Sequence, residues 1–141
     1  MSSNERHNRR DDILSAKHRR WGYNLPATDV DFILCEYDHR IPKALIEHRH
    51  LNGSVRFDSN MTALARLADM ANLPFFIVQY HYEGDDGTLW KEGITIDTPA
   101  YFRIIVGNKQ AEKLWFTWDP DSFSNEEEYK AFLHEIRGRK A

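Results

Sequence analysis

Two carboxylates and a cation, set along two neighbouring apolar runs, are the residues of this chain best suited to chemistry. Asp31 precedes Phe32-Ile33-Leu34-Cys35, and Glu47 lies within Ala44-Leu45-Ile46-Glu47-His48-Arg49. Arg49 follows Glu47 by two positions, so the two share one face of a strand. Lys43 and Leu45 belong to that face, and His48 and His50 to the opposite one. A short hairpin between the two runs brings Asp31 and Glu47 within reach of one divalent cation. Hard ions such as Mg²⁺ or Mn²⁺ take carboxylate, water and phosphate oxygens. Such an ion polarises a phosphoryl group and lowers the pKa of a bound water. A cation two residues beyond Glu47 stabilises the charge that develops during attack. The chemistry expected is metal-dependent hydrolysis of a phosphodiester.

The elements that must position these groups can be read from periodicity. Residues 4–20 have helical composition, and Pro26 marks a loop. Asp31–Tyr37 reads as a strand covered on both faces, because its centre is continuously apolar. Residues 38–42 form a turn, Lys43–Arg49 a second strand, and Ser54–Phe57 a short third one. A helix is expected over Asn60–Asn72, with Leu64, Leu67, Ala68 and Ala71 as its apolar stripe and Ser59 or Asp58 as its cap. Pro74–Tyr82 is a strong strand, and Gly84–Gly87 a hairpin-type loop leading into Thr88–Ile96. Tyr101–Val106 and Leu114–Trp118 read as further strands, turned at Gly107-Asn108. Ser124 and Glu127 read as the capping box of a last helix, with Tyr129, Phe132, Leu133 and Ile136 as its stripe and Gly138 as its end.

The expected fold class is α/β (α+β): one mixed sheet flanked by helices. The 141 residues suit a single domain, with a core over about residues 5–82 and a β extension and closing helix over 83–141. The aromatic fraction of 13% is enough to build a core without disulfides. Cys35 is the only cysteine and reads as a small core residue, which fits a reducing, cytoplasmic setting. The first 12 residues are polar, unlike a secretory leader, and no apolar run approaches the roughly 20 residues needed to span a bilayer. The net charge of −3 argues against an overall basic coat. Charge is nonetheless concentrated: between Glu5 and Arg20 six basic residues stand against three acidic ones. Arg9, Arg10, Lys17, Arg19 and Arg20 are therefore candidates to grip a phosphate backbone.

The segments Thr28-Asp-Val-Asp-Phe-Ile-Leu-Cys-Glu-Tyr-Asp and Pro42-Lys-Ala-Leu-Ile-Glu-His-Arg-His resemble the PD-(D/E)XK nuclease superfamily, to which restriction enzymes and Holliday-junction resolvases belong. The helix-β-β-β-helix-β order also resembles its restriction-endonuclease-like αβββαβ core. The resemblance implies Asp31 as first metal ligand, Asp29 as second choice for that place, and Glu47 as second ligand. It puts Arg49 where the family carries its catalytic lysine. It further implies an Mg²⁺ or Mn²⁺ cofactor, nucleic acid as partner with DNA favoured, and an endonuclease that works as a homodimer. Gln79 and an acid of the first helix, Asp12 among them, are implied accessories; His48, on the opposite strand face, is a candidate accessory from its residue type alone and more often a surface or packing residue. Arginine can neutralise phosphate but cannot act as a tuned acid or base.

Other readings compete. A nuclease fold that has lost catalysis would bind nucleic acid or a protein partner, and Arg49 is its best support. Asp38-His39-Arg40-Ile41-Pro42 with Asn60 looks like part of an HNH endonuclease, but the downstream histidine and the zinc cysteines are missing. Trp90, Trp115 and Trp118 fit a sheet face better than a base-stacking platform.

Overall fold

The computed structural model describes residues 13, 17, 20, 32–36, 38–51, 59–85, 93–114 and 122–138. Four strands form one mixed sheet: β1 (Phe32–Cys35), β2 (Pro42–His50), β3 (Phe75–Tyr82) and β4 (Ala100–Val106), in spatial order β1-β2-β3-β4. β1 pairs antiparallel with β2, β2 parallel with β3, and β3 antiparallel with β4. The described helices are α1 (Ser59–Met70), α2 (Lys109–Leu114) and α3 (Glu126–Arg137). The architecture is α+β. A parallel pair needs a crossover, and α1 lies in the one that joins β2 to β3.

The hairpin that brings β1 to β2 is closed by Glu36. Its backbone N–H donates to Ile41 O at 2.9 Å. Its carboxylate accepts from the backbone N–H of Asp38 at 3.1 Å and from that of His39. Arg40 takes the left-handed conformation that the turn requires (φ 57°). Phe32 then stands opposite Ile46, and Ile33 opposite Leu45. β1 is not covered on both faces as its composition predicts. It forms one end of the described sheet, Phe32 and Ile33 are exposed, and Cys35 is only half-buried. An apolar run cannot distinguish a central strand from one with a single neighbour.

Side-chain alternation gives each sheet face its own core. Leu45, Phe75 and Ile77 pack under α1 against Met61, Leu64 and Ala68. Ala44, Ile46, Phe76, Val78 and Ile104 pack on the other side against Ala111 of α2 and Tyr129, Phe132 and Ile136 of α3. Phe75, Phe76 and Phe132 are fully buried, each contributing about 1.5–3 kcal/mol by area burial. The stripe of α1 is displaced from the expected one. Met61 is fully buried, whereas Leu67 is 44% exposed and Ala71 is exposed beyond the helix end. Asn72 stops the helix in the left-handed conformation (φ 60°), with its N–H donating to Asp69 O and that of Leu73 to Ala68 O. This is a Schellman closure with asparagine in glycine's usual place.

Gly107 and Asn108 do turn the chain after β4, but into α2 rather than a strand, so Leu114 ends a helix. A Cβ on Gly107 would come within 2.5 Å of the Phe75 ring. Asn108 explains the helix. Its Oδ1 accepts from the N–H of Ala111 and from that of Phe75, both at 2.9 Å. Its Nδ2 donates to Leu73 O at 2.9 Å and to Asp69 Oδ1 at 3.1 Å. One side chain thus caps α2 and ties it to the start of β3 and the end of α1.

Residues 93–96 of the expected Thr88–Ile96 strand are not extended pairing backbone, and Ile96 is almost fully exposed. The capping box of α3 sits one residue later than its spacing suggests. Asn125 Oδ1 accepts from Glu128 N–H at 2.8 Å, and Glu128 Oε1 accepts from Asn125 N–H at 2.9 Å. Ser124 is diverted because its backbone exchanges two bonds with Phe102 of β4, at 2.7 and 2.8 Å. The Ser54–Phe57 strand, the ends of the first helix, residues 115–118 and the tryptophans Trp90, Trp115 and Trp118 lie outside the described residues.

Candidate metal and phosphate site

The sheet face under α1 is divided in two. Towards α1 it is apolar (Leu45, Phe75, Ile77). Beyond that, the alternation of β2 delivers Glu47 and Arg49 to the same face. Glu47 stands opposite Ile77, and Ile77 opposite Ile105. Arg49 stands opposite Gln79, and Gln79 opposite Arg103. The face therefore changes, within one pair of residues along the strands, from an aliphatic row headed by a carboxylate to a row of guanidinium, amide and guanidinium. The next row holds His81 and Tyr101.

Glu47 is 9% exposed and Gln79 is 7% exposed. Arg49 Nε donates to Glu47 Oε2 at 2.9 Å. Taking a carboxylate to this depth costs several kcal/mol, which a charged partner and hydrogen bonds must offset. The predicted facial partnership of Glu47 and Arg49 is present, and Gln79 joins them through the parallel register. Sequence alone could not supply that register, because a crossover pairing leaves no local mark.

His48 lies on the opposite face. Its Nε2 shares a 2.8 Å hydrogen bond with the hydroxyl of Tyr129, and its ring packs edge-on against Phe32 and Tyr129. It braces β2 against α3 and is separated from Glu47 by the sheet. Burial pushes the Tyr129 hydroxyl pKa well up, which keeps it a neutral partner. His50, on the same face as His48, donates from Nε2 to Asp85 Oδ2 at 2.6 Å, and both side chains are buried. Asp85 Oδ2 also accepts from the N–H of Tyr82. This pair pins the turn after β3 to β2. His39 of the HNH-like stretch is mostly exposed on its turn, beside Glu36.

Of the basic residues near the N-terminus, Lys17 and Arg20 are exposed and in helical backbone, three positions apart and so on one helix face. Arg9, Arg10, Arg19 and Asp12 lie outside the described residues, as do Asp29 and Asp31. Asp31 immediately precedes Phe32, whose partner Ile46 is the neighbour of Glu47. Among the described residues no group of three or more His, Cys, Asp or Glu side chains stands together to hold a metal. None of the described helices is long and apolar enough to cross a membrane.

Arg103 is the residue of this face that sequence reading misses. Its guanidinium carbon lies 5.9 Å from the centre of the Phe123 ring. His81 stacks on Tyr101 and meets Phe123 edge-on. The Tyr101 hydroxyl donates to Glu83 Oε1 at 2.8 Å. The alternation Tyr101-Arg103-Ile105 is visible in the sequence, but the pairing of β4 with β3, which brings it to Glu47's face, is not.

The chain matches no protein-family model, no curated protein and no solved structure.

Proposed function

We propose that this chain is a metal-dependent nuclease that hydrolyses DNA phosphodiester bonds, with a restriction-endonuclease-like core. The observation that carries the reading is Glu47: a carboxylate 9% exposed inside a sheet, bonded to Arg49, at the border between an apolar core and a polar row. Charged side chains are seldom kept at such depth without a task or a compensating network.

The donor chemistry fits a hard cation. Glu47 offers carboxylate oxygen, Gln79 offers an amide oxygen one row on, and Asp31 is the acid next to Phe32 in the chain. Asp31 and Glu47 would hold the ion, with Asp29 as the substitute for Asp31. When bound, Mg²⁺ or Mn²⁺ supplies Lewis acidity and a water of lowered pKa. Arg49 has a different task. A guanidinium does not deprotonate near neutral pH, so it neutralises phosphoryl oxygens and takes no proton. Its bond to Glu47 fixes the orientation of the planar guanidinium. Gln79 orients a phosphate oxygen or the attacking water through its amide. Arg9, Arg10, Lys17, Arg19 and Arg20 hold the backbone away from the chemistry, and the exposure of Lys17 and Arg20 suits that role. Cutting both strands of a duplex uses two copies of the site, which favours a homodimer.

One observation favours a second reading. Arg49 already donates to Glu47 Oε2, as in a purely structural ion pair. A nuclease fold without catalysis would keep this pair and bind DNA without cutting it. The test is incubation of the full chain with linear, branched and single-stranded DNA, and with RNA, in Mg²⁺, Mn²⁺ or chelator. Metal-dependent cleavage of DNA supports the nuclease. Salt-sensitive binding without cleavage in any metal transfers the assignment to the binding module.

A further inference from the structure

Arg103 has a feature that the nuclease reading does not use. Its Nε is buried and has no hydrogen-bond partner among the described residues. A guanidinium carries five donors and no acceptor, and protein structures rarely leave such a donor desolvated and unmatched. The Phe123 ring attracts the cation without consuming any N–H, so the group is held in place while its Nε–H stays unmatched. Its position is also specific. Arg103, Gln79 and Arg49 form one row across three neighbouring strands. Strands lie about 4.8 Å apart, so the two arginine Cα atoms are roughly 10 Å apart with the short Gln79 between them. Both side chains are long enough to reach the space above that amide. The row lies one residue pair beyond Glu47 along the strands, roughly 7 Å away, far enough to accept an anion beside the carboxylate.

We propose that Arg103 and Arg49, on either side of Gln79, form the seat for a backbone phosphate of DNA next to Glu47. Two guanidinium forks and an amide donor suit a tetrahedral oxyanion with several acceptor oxygens. The choice of a nucleic-acid phosphate over another anion rests on the nuclease reading. Arg103 contacts substrate without taking part in bond breaking, and it reads no base sequence.

The test separates binding from cleavage. Full-length chain binds a labelled DNA duplex in chelator, and affinity is followed over a salt series by fluorescence anisotropy. Arg103→Gln should weaken binding about tenfold for any sequence, and should flatten the slope of log K against log salt by about 0.9, the value of one phosphate contact. Arg103→Lys should keep the slope and recover only part of the affinity, because lysine restores charge but not the fork. Thermal melts of both variants guard against misfolding. Loss of an unmatched buried donor should leave the Tm unchanged or raise it, whereas a structural role would lower it. Unchanged affinity and slope in Arg103→Gln overturn the seat, even if the wild type cleaves DNA in Mg²⁺. An Arg103-dependent slope in a protein that never cleaves upholds the seat and removes the nuclease. Absence of wild-type binding at low salt overturns both.

Discussion

A substitution that keeps the shape of Glu47 but removes its charge separates a metal ligand from a structural ion pair. In Glu47→Gln the amide occupies the same volume opposite Ile77, and Arg49 still has an oxygen to donate to. Hydrogen bonds to charged groups contribute about 1.5–3 kcal/mol and neutral ones about 0.5–1.5. The pair is only partly sealed from water, with Arg49 the more exposed partner. The expected loss in chelator is therefore about 1 kcal/mol. For a chain of this size that lowers the Tm by roughly 3 °C. Saturating Mg²⁺ or Mn²⁺, at about 100 times its Kd, should stabilise the wild type by about 2.7 kcal/mol, or roughly 8 °C. The variant should gain little. The gap between the two proteins then widens from about 1 to about 4 kcal/mol when metal is added, read by calorimetry or denaturant melts in both conditions. A gap of the same size in chelator and in metal would refute the reasoning, because Glu47 would then act only through Arg49.

Three further outcomes follow from the same geometry. Arg49→Lys should keep or raise cleavage if the position only neutralises phosphate; a loss of more than tenfold in kcat would show that the bidentate fork is needed. Asn108→Ala should cost about 2–4 kcal/mol in urea melts, since it removes the cap of α2 and leaves the N–H of Phe75 without its acceptor. Tyr129 has its pKa raised in the fold above the ordinary 10.0 by burial, so its contribution to stability is complete below pH 10 and is lost as pH rises above that value. Tyr129→Phe should therefore flatten the alkaline fall in Tm, and an unchanged alkaline limb would contradict that assignment.

Local chemistry made much of this molecule legible in its sequence. Alternation along Lys43–Arg49 correctly put Glu47 and Arg49 on one face and His48 and His50 on the other. The period of α3 gave Tyr129, Phe132 and Ile136 as its buried stripe. Where the reading failed, a tertiary contact overrode a local pattern. Ser124 lost the cap of α3 to Asn125 because β4 had already engaged its backbone. Leu114 ends a helix because Asn108 caps α2 and seats β3 together, a role no spacing announces. Arg103 is illegible for the same reason: its place beside Gln79 is set by strand order, and strand order leaves no trace in a single sequence. The residue pair on which the metal assignment turns has one member, Glu47, in the described sheet and the other, Asp31, one chain step beyond it.

The most direct measurement is single-turnover DNA cleavage by the wild type and by Glu47→Ala, each in Mg²⁺ and in chelator, with circular dichroism to show that both are folded. Cleavage is expected only from the wild type, and only with metal, with the variant folded and reduced by at least a hundredfold. Equal cleavage by Glu47→Ala, or cleavage by the wild type that persists in chelator, would contradict it.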